Sequence, residues 1–221
     1  MNFPAGLFSD AWAFGAFVPL VLAWLWCLRT VSWQRLADAG QFNVWLGAIV
    51  VLMLLWSMKA GVRPGLNLHL LGATAMTLMF GRQLAIVGLS FVLLAVTLNG
   101  GAGWQAYALN ALVMAVFPVL VAFGILRLVE RLLPANFFVY VFLAAFLGAA
   151  LAAMATGFAS TLLLFTAGVY PAETLFSDYF PYFLLLGFSE AWLNGAAITL
   201  MVVYFPDWVG SFDDRRYLLN K

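Results

Sequence analysis

Long apolar runs, broken only by short polar turns, constrain this chain more than any other feature. Of its 221 residues, 66% are hydrophobic and 9% are charged, and the mean hydropathy is +1.03. A water-soluble domain of this size cannot bury so much apolar surface, so most of it must face lipid or other helices. Membrane strands alternate polar and apolar residues, whereas these runs are continuous. The predicted fold class is therefore all-α, a polytopic membrane bundle forming one domain over residues 1–221.

Seven apolar segments are predicted to cross the bilayer. A span takes about 20 helical residues, so the third segment is short and the sixth is long. At about 1.5 Å per residue the sixth must tilt, break or protrude, and it is treated as one element because no charged turn divides it. The segments are 11–28, 42–58, 66–80, 83–99, 104–126, 135–169 and 180–206.

The basic residues predict the orientation. With seven spans and the amino terminus outside, eight basic residues fall inside and two outside, in agreement with the positive-inside rule. This arrangement predicts an extracytoplasmic segment 1–10 that inserts into the bundle, a cytoplasmic tail 207–221, and a multi-pass protein of the cell membrane, with the bacterial inner membrane as the expected site. The inner residues are Arg29, Arg35, Arg82, Arg127, Arg131, Arg215, Arg216 and Lys221, and the outer ones are Lys59 and Arg63.

Composition excludes several classes of function. A net charge of +1 provides no basic surface for a nucleic acid. The first ten residues hold no Lys or Arg, so we expect no cleavable signal peptide. The chain has one histidine, the lone Cys27 and one carboxylate deep in an apolar segment. These residues form neither a zinc protease motif nor a nucleophile–base pair, so we do not expect an enzyme. The chain has no Gly-x-x-x-x-Gly-Lys-Ser/Thr loop, so any ATP hydrolysis must come from another protein.

A few polar residues inside apolar segments are predicted to gather towards the outer side. His69 follows a turn near Gly65, Asn110 lies about two turns into the fifth segment, and Glu190 lies near the middle of the seventh. Polar groups are costly in a bilayer and tend to be functional. The structural alternatives are that His69 bonds to a neighbouring carbonyl, that Asn110 joins two helices, and that Glu190 is protonated or pairs with Asn194.

A stripe of small residues runs along the sixth segment at four-residue spacing. Such stripes let helices approach closely, either within one fold or against a partner membrane protein. The in-fold use is the commoner one, and the docking face for a coupling partner is the other. The stripe comprises Ala144, Gly148, Ala152, Thr156 and Ser160.

Three short motifs carry a resemblance to a known family. The opening Met1-Asn2-Phe3-Pro4-Ala5-Gly6 is similar to a Met-His-Ile-Pro-x-Gly start. Residues 64–72 read Pro-Gly-x-x-x-His-Leu-x-Gly, followed by Gly-Gly at 100–101 and by Asn110. Residues 186–195 are similar to a carboxyl-terminal Glu-Gly helix. On these residues the chain resembles the membrane substrate-binding component of energy-coupling-factor nickel/cobalt transporters, the CbiM/NikM type.

The resemblance implies a divalent-cation site at the outer face. Its ligands would be the Met1 amino nitrogen, the main-chain nitrogen of Asn2, and His69; nitrogen ligands in a plane suit Ni(II), Cu(II) and, less strongly, Co(II). The chain departs from the family at position 2, where Asn2 replaces a histidine. The alternative is a softer Cu(I) site that uses His69 with the sulfur of Met76 or of Met1. Met76 lies seven residues after His69, so the two would share one face of a helix. Possible supporting residues are Asn67, Met76, Asn110 and Glu190.

Two functions follow from the resemblance. The first is uptake of a transition-metal cation, with nickel or cobalt expected and copper possible. The chain would work together with a transmembrane coupling protein and ATPase subunits. The metal is the cargo, and no cofactor is expected. The second is a non-transporting scaffold or assembly subunit that keeps the fold but has lost the metal site, which the asparagine at position 2 favours.

Overall fold

The computed structural model describes residues 1–219, so Lys221 and its predicted inner position lie outside the described residues. Within this range six helices are long and apolar enough to cross a membrane, and the all-α fold class is confirmed. The number of crossings and the orientation remain predictions. The long helices are α1 (Asp10–Thr30), α3 (Ala39–Ser57), α4 (Ala73–Leu98), α5 (Tyr107–Leu132), α6 (Phe137–Thr166) and α8 (Tyr182–Tyr204). The shorter elements are α2 (Gln34–Ala37), β1 (Ala60–Arg63), β2 (Leu66–Leu68), α7 (Ala172–Asp178), a 3₁₀ turn (Pro206–Trp208) and a π-helical turn (Arg215–Leu219).

The third predicted segment, 66–80, is not helical over its whole length, and that part of the prediction is wrong. Residues 66–68 form β2, which pairs antiparallel with β1 in a hairpin. Its turn contains Pro64 and then Gly65 at φ +79°, as a type II turn requires. A short apolar run following a turn fits a strand as well as a helix, because periodicity does not separate the two at this length.

Helix α4 changes direction at Gly81, between the predicted third and fourth segments. Gly81 has φ +79° and ψ 166°, a conformation that is essentially restricted to glycine. The Met76 methyl lies against Gly88, although twelve residues of straight helix would separate the two by about 18 Å. Residues 73–80 and 82–98 therefore lie side by side rather than end to end.

Helix α6 is the long sixth segment. It has 30 residues, begins after Asn136, whose side chain accepts a 2.8 Å bond from the Phe138 N–H, and includes a π-helical stretch at Tyr140–Leu147. Its small-residue stripe is buried within this chain. Next to the stripe, the Phe183 ring of α8 packs directly on Gly157, which follows Thr156 in the chain. The stripe therefore serves internal packing, the commoner of its two predicted uses, and does not form an exposed docking face.

The tail beyond α8 packs against the bundle. The N–H of Gly210 donates to the carbonyl of Met79 at 3.0 Å, and the N–H of Ser211 donates to that of Leu78 at 3.1 Å. Tyr140 and Ser211 share a 2.7 Å hydroxyl contact. These bonds attach the tail to the turn at the end of residues 73–80.

The two ends of the bundle differ in composition. The outer end, named from the predicted orientation, consists of residues 1–6, the β1–β2 hairpin and residues 100–103. The inner end contains Arg35, Arg127 and Arg216 around one cavity of about 370 Å³. The candidate site lies at the outer end.

Candidate metal site at the outer end

The first three residues are buried at the outer end. Met1 and Phe3 are fully buried, and Asn2 is 2% exposed. Asn110, at the start of α5, fixes the main chain of Phe3: its Oδ1 accepts from the Phe3 N–H at 2.8 Å, and its Nδ2 donates to the Phe3 carbonyl at 3.1 Å. Gly103 N–H donates to the same carbonyl at 3.0 Å. The amino-terminal segment is therefore held in place by side-chain and main-chain bonds.

Asn67 of β2 holds the amino terminus from the hairpin side. Its Oδ1 accepts from the Met1 amino group at 2.7 Å and from the Asn2 N–H at 2.8 Å, and its Nδ2 donates to the Asn2 carbonyl at 3.0 Å. The amino group also donates to the main-chain carbonyl of Asn67. One amide side chain thus orients the two main-chain nitrogens among the three that the resemblance assigns to the metal.

His69 faces the Asn2 side chain. Its Nε2 lies 3.0 Å from Asn2 Oδ1, and its Nδ1 lies 3.1 Å from the carbonyl of Leu70. An N–H on Nδ1 donates to that carbonyl in the neutral ring, which leaves a lone pair on Nε2. The ring of Trp56 packs on the imidazole with centroids 4.8 Å apart. In the part of the chain that the structure describes, the buried Nδ2 of Asn2 has no hydrogen-bond partner.

Burial also controls the protonation of the amino terminus. It lowers the pKa of the Met1 amino group well below its ordinary value, and the positive charge of Lys59 lowers it further. A lowered pKa favours the neutral amine, which has a lone pair that can bind a metal.

Glu190 acts on the loop that follows His69. Its carboxylate accepts from the N–H groups of Leu71 and Gly72, the latter at 3.2 Å from Oε2, and from Nδ2 of Asn194 at 2.7 Å. Asn194 Oδ1 accepts from the Ala75 N–H at 2.9 Å. Glu190 therefore binds the two N–H groups just before α4, and Asn194 binds one N–H in its first turn; a negative charge at this end is favoured by the helix dipole. The pairing of Glu190 with Asn194, one of the sequence alternatives, is present.

The predicted supporting residues are only partly brought together. Asn67 and Asn110 contact the amino-terminal segment, and Glu190 reaches the loop two residues after His69. Met76 lies elsewhere: its methyl packs near Gly88. His69 precedes the helix, so Met76 does not share a helix face with it, and that prediction is wrong.

Trp56 was missed by the sequence reasoning. Besides covering His69, its Nε1 donates to the carbonyl of Leu71 at 3.0 Å. A tryptophan at the end of a membrane helix resembles an ordinary interfacial anchor, so its sequence position gave no signal of this role.

The candidate metal ligands include main-chain nitrogen atoms as well as side chains. Across residues 1–219, no group of three His, Cys, Asp or Glu side chains is arranged to hold a metal ion. A cavity of about 830 Å³ opens over Asn2 and Asn67, and a second of about 560 Å³ borders His69. Lys59 lines both cavities. What converges here is an amine, a peptide nitrogen, one imidazole and two amide side chains, which together can coordinate a cation.

Comparison with known proteins gives a consistent result. A family described as the cobalt uptake substrate-specific transmembrane region, CbiM, matches residues 2–208, which confirms the resemblance drawn from the motifs. A crystal structure of a truncated transition metal transporter has a TM-score of 0.75 at 22% identity and covers 92% of this chain and 99% of its own. Another, of a transition metal transporter, has a TM-score of 0.72 at 22% identity and covers 91% and 92%. At this identity the two structures show a shared fold. No curated protein sequence matches significantly.

Proposed function

Because the chain belongs to the CbiM family of cobalt-uptake substrate-specific transmembrane regions, we propose that it captures a nickel or cobalt ion at its outer end. It is a multi-pass membrane component of a transition-metal uptake transporter, and we place it in a bacterial inner membrane. The metal is cargo. The protein acts as a transport component rather than as an enzyme.

The observation that carries the proposal is the meeting of the buried amino terminus with His69 through Asn2. Two ligands in cis positions, each about 2.0–2.1 Å from a first-row ion, lie about 2.9 Å apart. The 3.0 Å separation of His69 Nε2 from Asn2 Oδ1 matches this spacing.

Covalent geometry favours chelation by the first two residues. The Met1 amine and the Asn2 nitrogen close a five-membered ring with a metal. The Asn2 nitrogen and Oδ1 close a six-membered ring, the same size that a histidine Nδ1 would give. Asn2 therefore keeps the chelate but replaces an imidazole nitrogen with an amide oxygen.

This replacement weakens the ligand set. Imidazole nitrogen suits nickel and copper, whereas carbonyl oxygen suits harder ions. We expect lower affinity than a site with a second imidazole would have, and less preference for the square-planar ions. Nickel and cobalt remain the proposed cargo, and copper is the third candidate.

The energy for uptake is proposed to come from other proteins. The chain has no phosphate-binding loop, so a transmembrane coupling protein and ATPase subunits would have to supply it. The small-residue stripe of α6 is buried, so such a coupling protein would dock on another face. Co-purification of the tagged chain from its native membrane tests for these partners.

Element analysis of the purified protein after loading with Ni²⁺ or Co²⁺ tests the site. We expect about one ion per chain in the wild type and little in His69→Gln, which keeps a polar side chain without the imidazole. Adding two residues before Met1 should also abolish binding, because the free amine would no longer reach the site.

The matched control adds the same two residues after Lys221 and should leave binding unchanged. Full metal content in the amino-terminally extended protein would remove the amine from the ligand set. Absence of metal from the wild type, with an intact fold, would favour the scaffold function.

A further inference from the structure

The cavity above the site is far larger than one ion needs. Its volume of about 830 Å³ compares with about 30 Å³ for one water molecule in the liquid. Of the residues proposed as ligands, Asn2 lines this cavity together with Asn67, whereas Met1 and His69 are buried and are not among its lining residues. Thr97, Trp104 and Gln105 line it as well. The space can hold a small organic molecule together with a metal.

The charges around this cavity are unexpected for the mouth of a cation site. Lys59 and Arg63 line it, and none of the lining residues within the described chain carries a carboxylate. Lys59 Nζ donates to the Gly101 carbonyl at 2.7 Å, which fixes its charge across the opening. Arg63 lies 3.7 Å from Asp178, a wide and half-exposed pair that leaves most of its donors available.

The positive charges at the cavity favour an anionic metal complex over the free metal ion. A hydrated divalent ion meets the positive charge of Lys59 and that of Arg63, which Asp178 offsets only in part, whereas a negatively charged complex of the same ion is attracted. Arginine and lysine are the usual partners of carboxylates. Independently, the amide of Asn2 leaves the protein with one strong donor fewer than a site with two imidazoles. A ligand that arrives with the metal can supply that donor.

We infer that the outer cavity receives the metal as an anionic complex with a small carboxylate chelator, whose carboxylates lie against Lys59 and Arg63. The inference rests on the proposed function of metal capture. The protein supplies the Met1 amine, the Asn2 nitrogen and His69 Nε2, and the chelator keeps at least one carboxylate on the ion. Binding through the Asn2 nitrogen breaks its N–H bond, and that proton, with any proton on the Met1 amine, is released to water as the metal–nitrogen bonds form.

Binding of Co²⁺ with and without citrate tests this inference. At equal free Co²⁺ activity, we expect the wild type to bind at least 10-fold more tightly with citrate present and to retain ¹⁴C-citrate in a 1:1 ratio with cobalt. Lys59→Gln combined with Arg63→Gln should lose this gain, which is measured in each protein as the ratio of its Co²⁺ affinities with and without citrate, so that any effect of the substitutions on binding of Co²⁺ alone cancels. Glutamine preserves a hydrogen-bond donor at each position, so the change is mainly one of charge.

Arg131→Gln is the control, because it removes a charge at the inner end. It should behave like the wild type. If citrate only competes for Co²⁺ and no label is retained, the inference is overturned while the proposed function stands. If the wild type binds neither Co²⁺ nor its citrate complex, both fail. Equal citrate gain in the wild type and the double variant would also overturn the assignment to Lys59 and Arg63.

Discussion

Replacing Glu190 by glutamine tests how far the metal site depends on a residue that does not contact it. The carboxylate has two acceptor oxygens, shared among the N–H groups of Leu71 and Gly72 and the amide of Asn194. Glutamine has one acceptor oxygen and one NH₂ group. At least one of the three donors would then face another donor in a fully buried position.

The lost hydrogen bonds set the expected size of the effects on stability and on metal affinity. Leaving one buried donor without an acceptor costs about 1–3 kcal/mol, so Glu190→Gln should destabilise the protein by about that amount. Residues that orient metal ligands typically change affinity by about 10–100-fold. We expect a loss of Co²⁺ affinity in that range, because the loop carrying His69 loses part of its attachment to α8.

The assay combines thermal unfolding in detergent with calorimetric Co²⁺ titration. Ser189→Ala is the control, because the Ser189 hydroxyl only bonds to the Leu185 carbonyl of its own helix. Adding Asn194→Asp to Glu190→Gln restores an acceptor opposite the new amide and should recover at least half of the loss. If Glu190→Gln matches Ser189→Ala in both measurements, or if the second substitution recovers nothing, the attachment does not position His69.

Three further variants test other contacts. Gly103→Ala would place a methyl 2.7 Å from the Cα of Ala5 and should shift the amino-terminal segment, which would lower Co²⁺ affinity by about 10–100-fold. Gly124→Ala is the control, because its new methyl meets nothing within 4 Å. Equal Co²⁺ affinities of the two variants would contradict this prediction. Gly81→Ala should lower the free energy of unfolding by about 1–3 kcal/mol, because alanine is strained at this φ and ψ. No atom lies within 4 Å of the new methyl, so backbone strain would be the whole effect. An unchanged unfolding temperature would exclude that strain. Trp56→Phe removes a 3.0 Å bond to the loop between β2 and α4 and should cost about 0.5–1.5 kcal/mol in thermal unfolding.

Several features of the fold could be predicted without coordinates. The helical membrane class follows from the continuous apolar runs, since every main-chain polar group in lipid must be satisfied within its own segment. Helix α6 was predicted as one element, because the sequence contains no charged turn within 135–169. The family resemblance came from motifs at both ends of the chain, and the family match over residues 2–208 confirms it.

Other features depended on contacts between distant residues. The strand at Leu66–Leu68, the separation of Met76 from His69 and the internal use of the α6 stripe all depend on packing partners that periodicity does not identify. The two bonds that Asn67 accepts from residues 1 and 2 join positions more than sixty residues apart.

The sequence by itself determined that the chain lies in a membrane and which side chains are available for binding. A chain this apolar belongs in a bilayer, and a single histidine limits what it can bind. Only the tertiary structure decided which of its few polar groups meet. The physical reason is that hydropathy is a local sum over neighbouring residues, whereas a binding site requires distances of about 3 Å between atoms from separate segments.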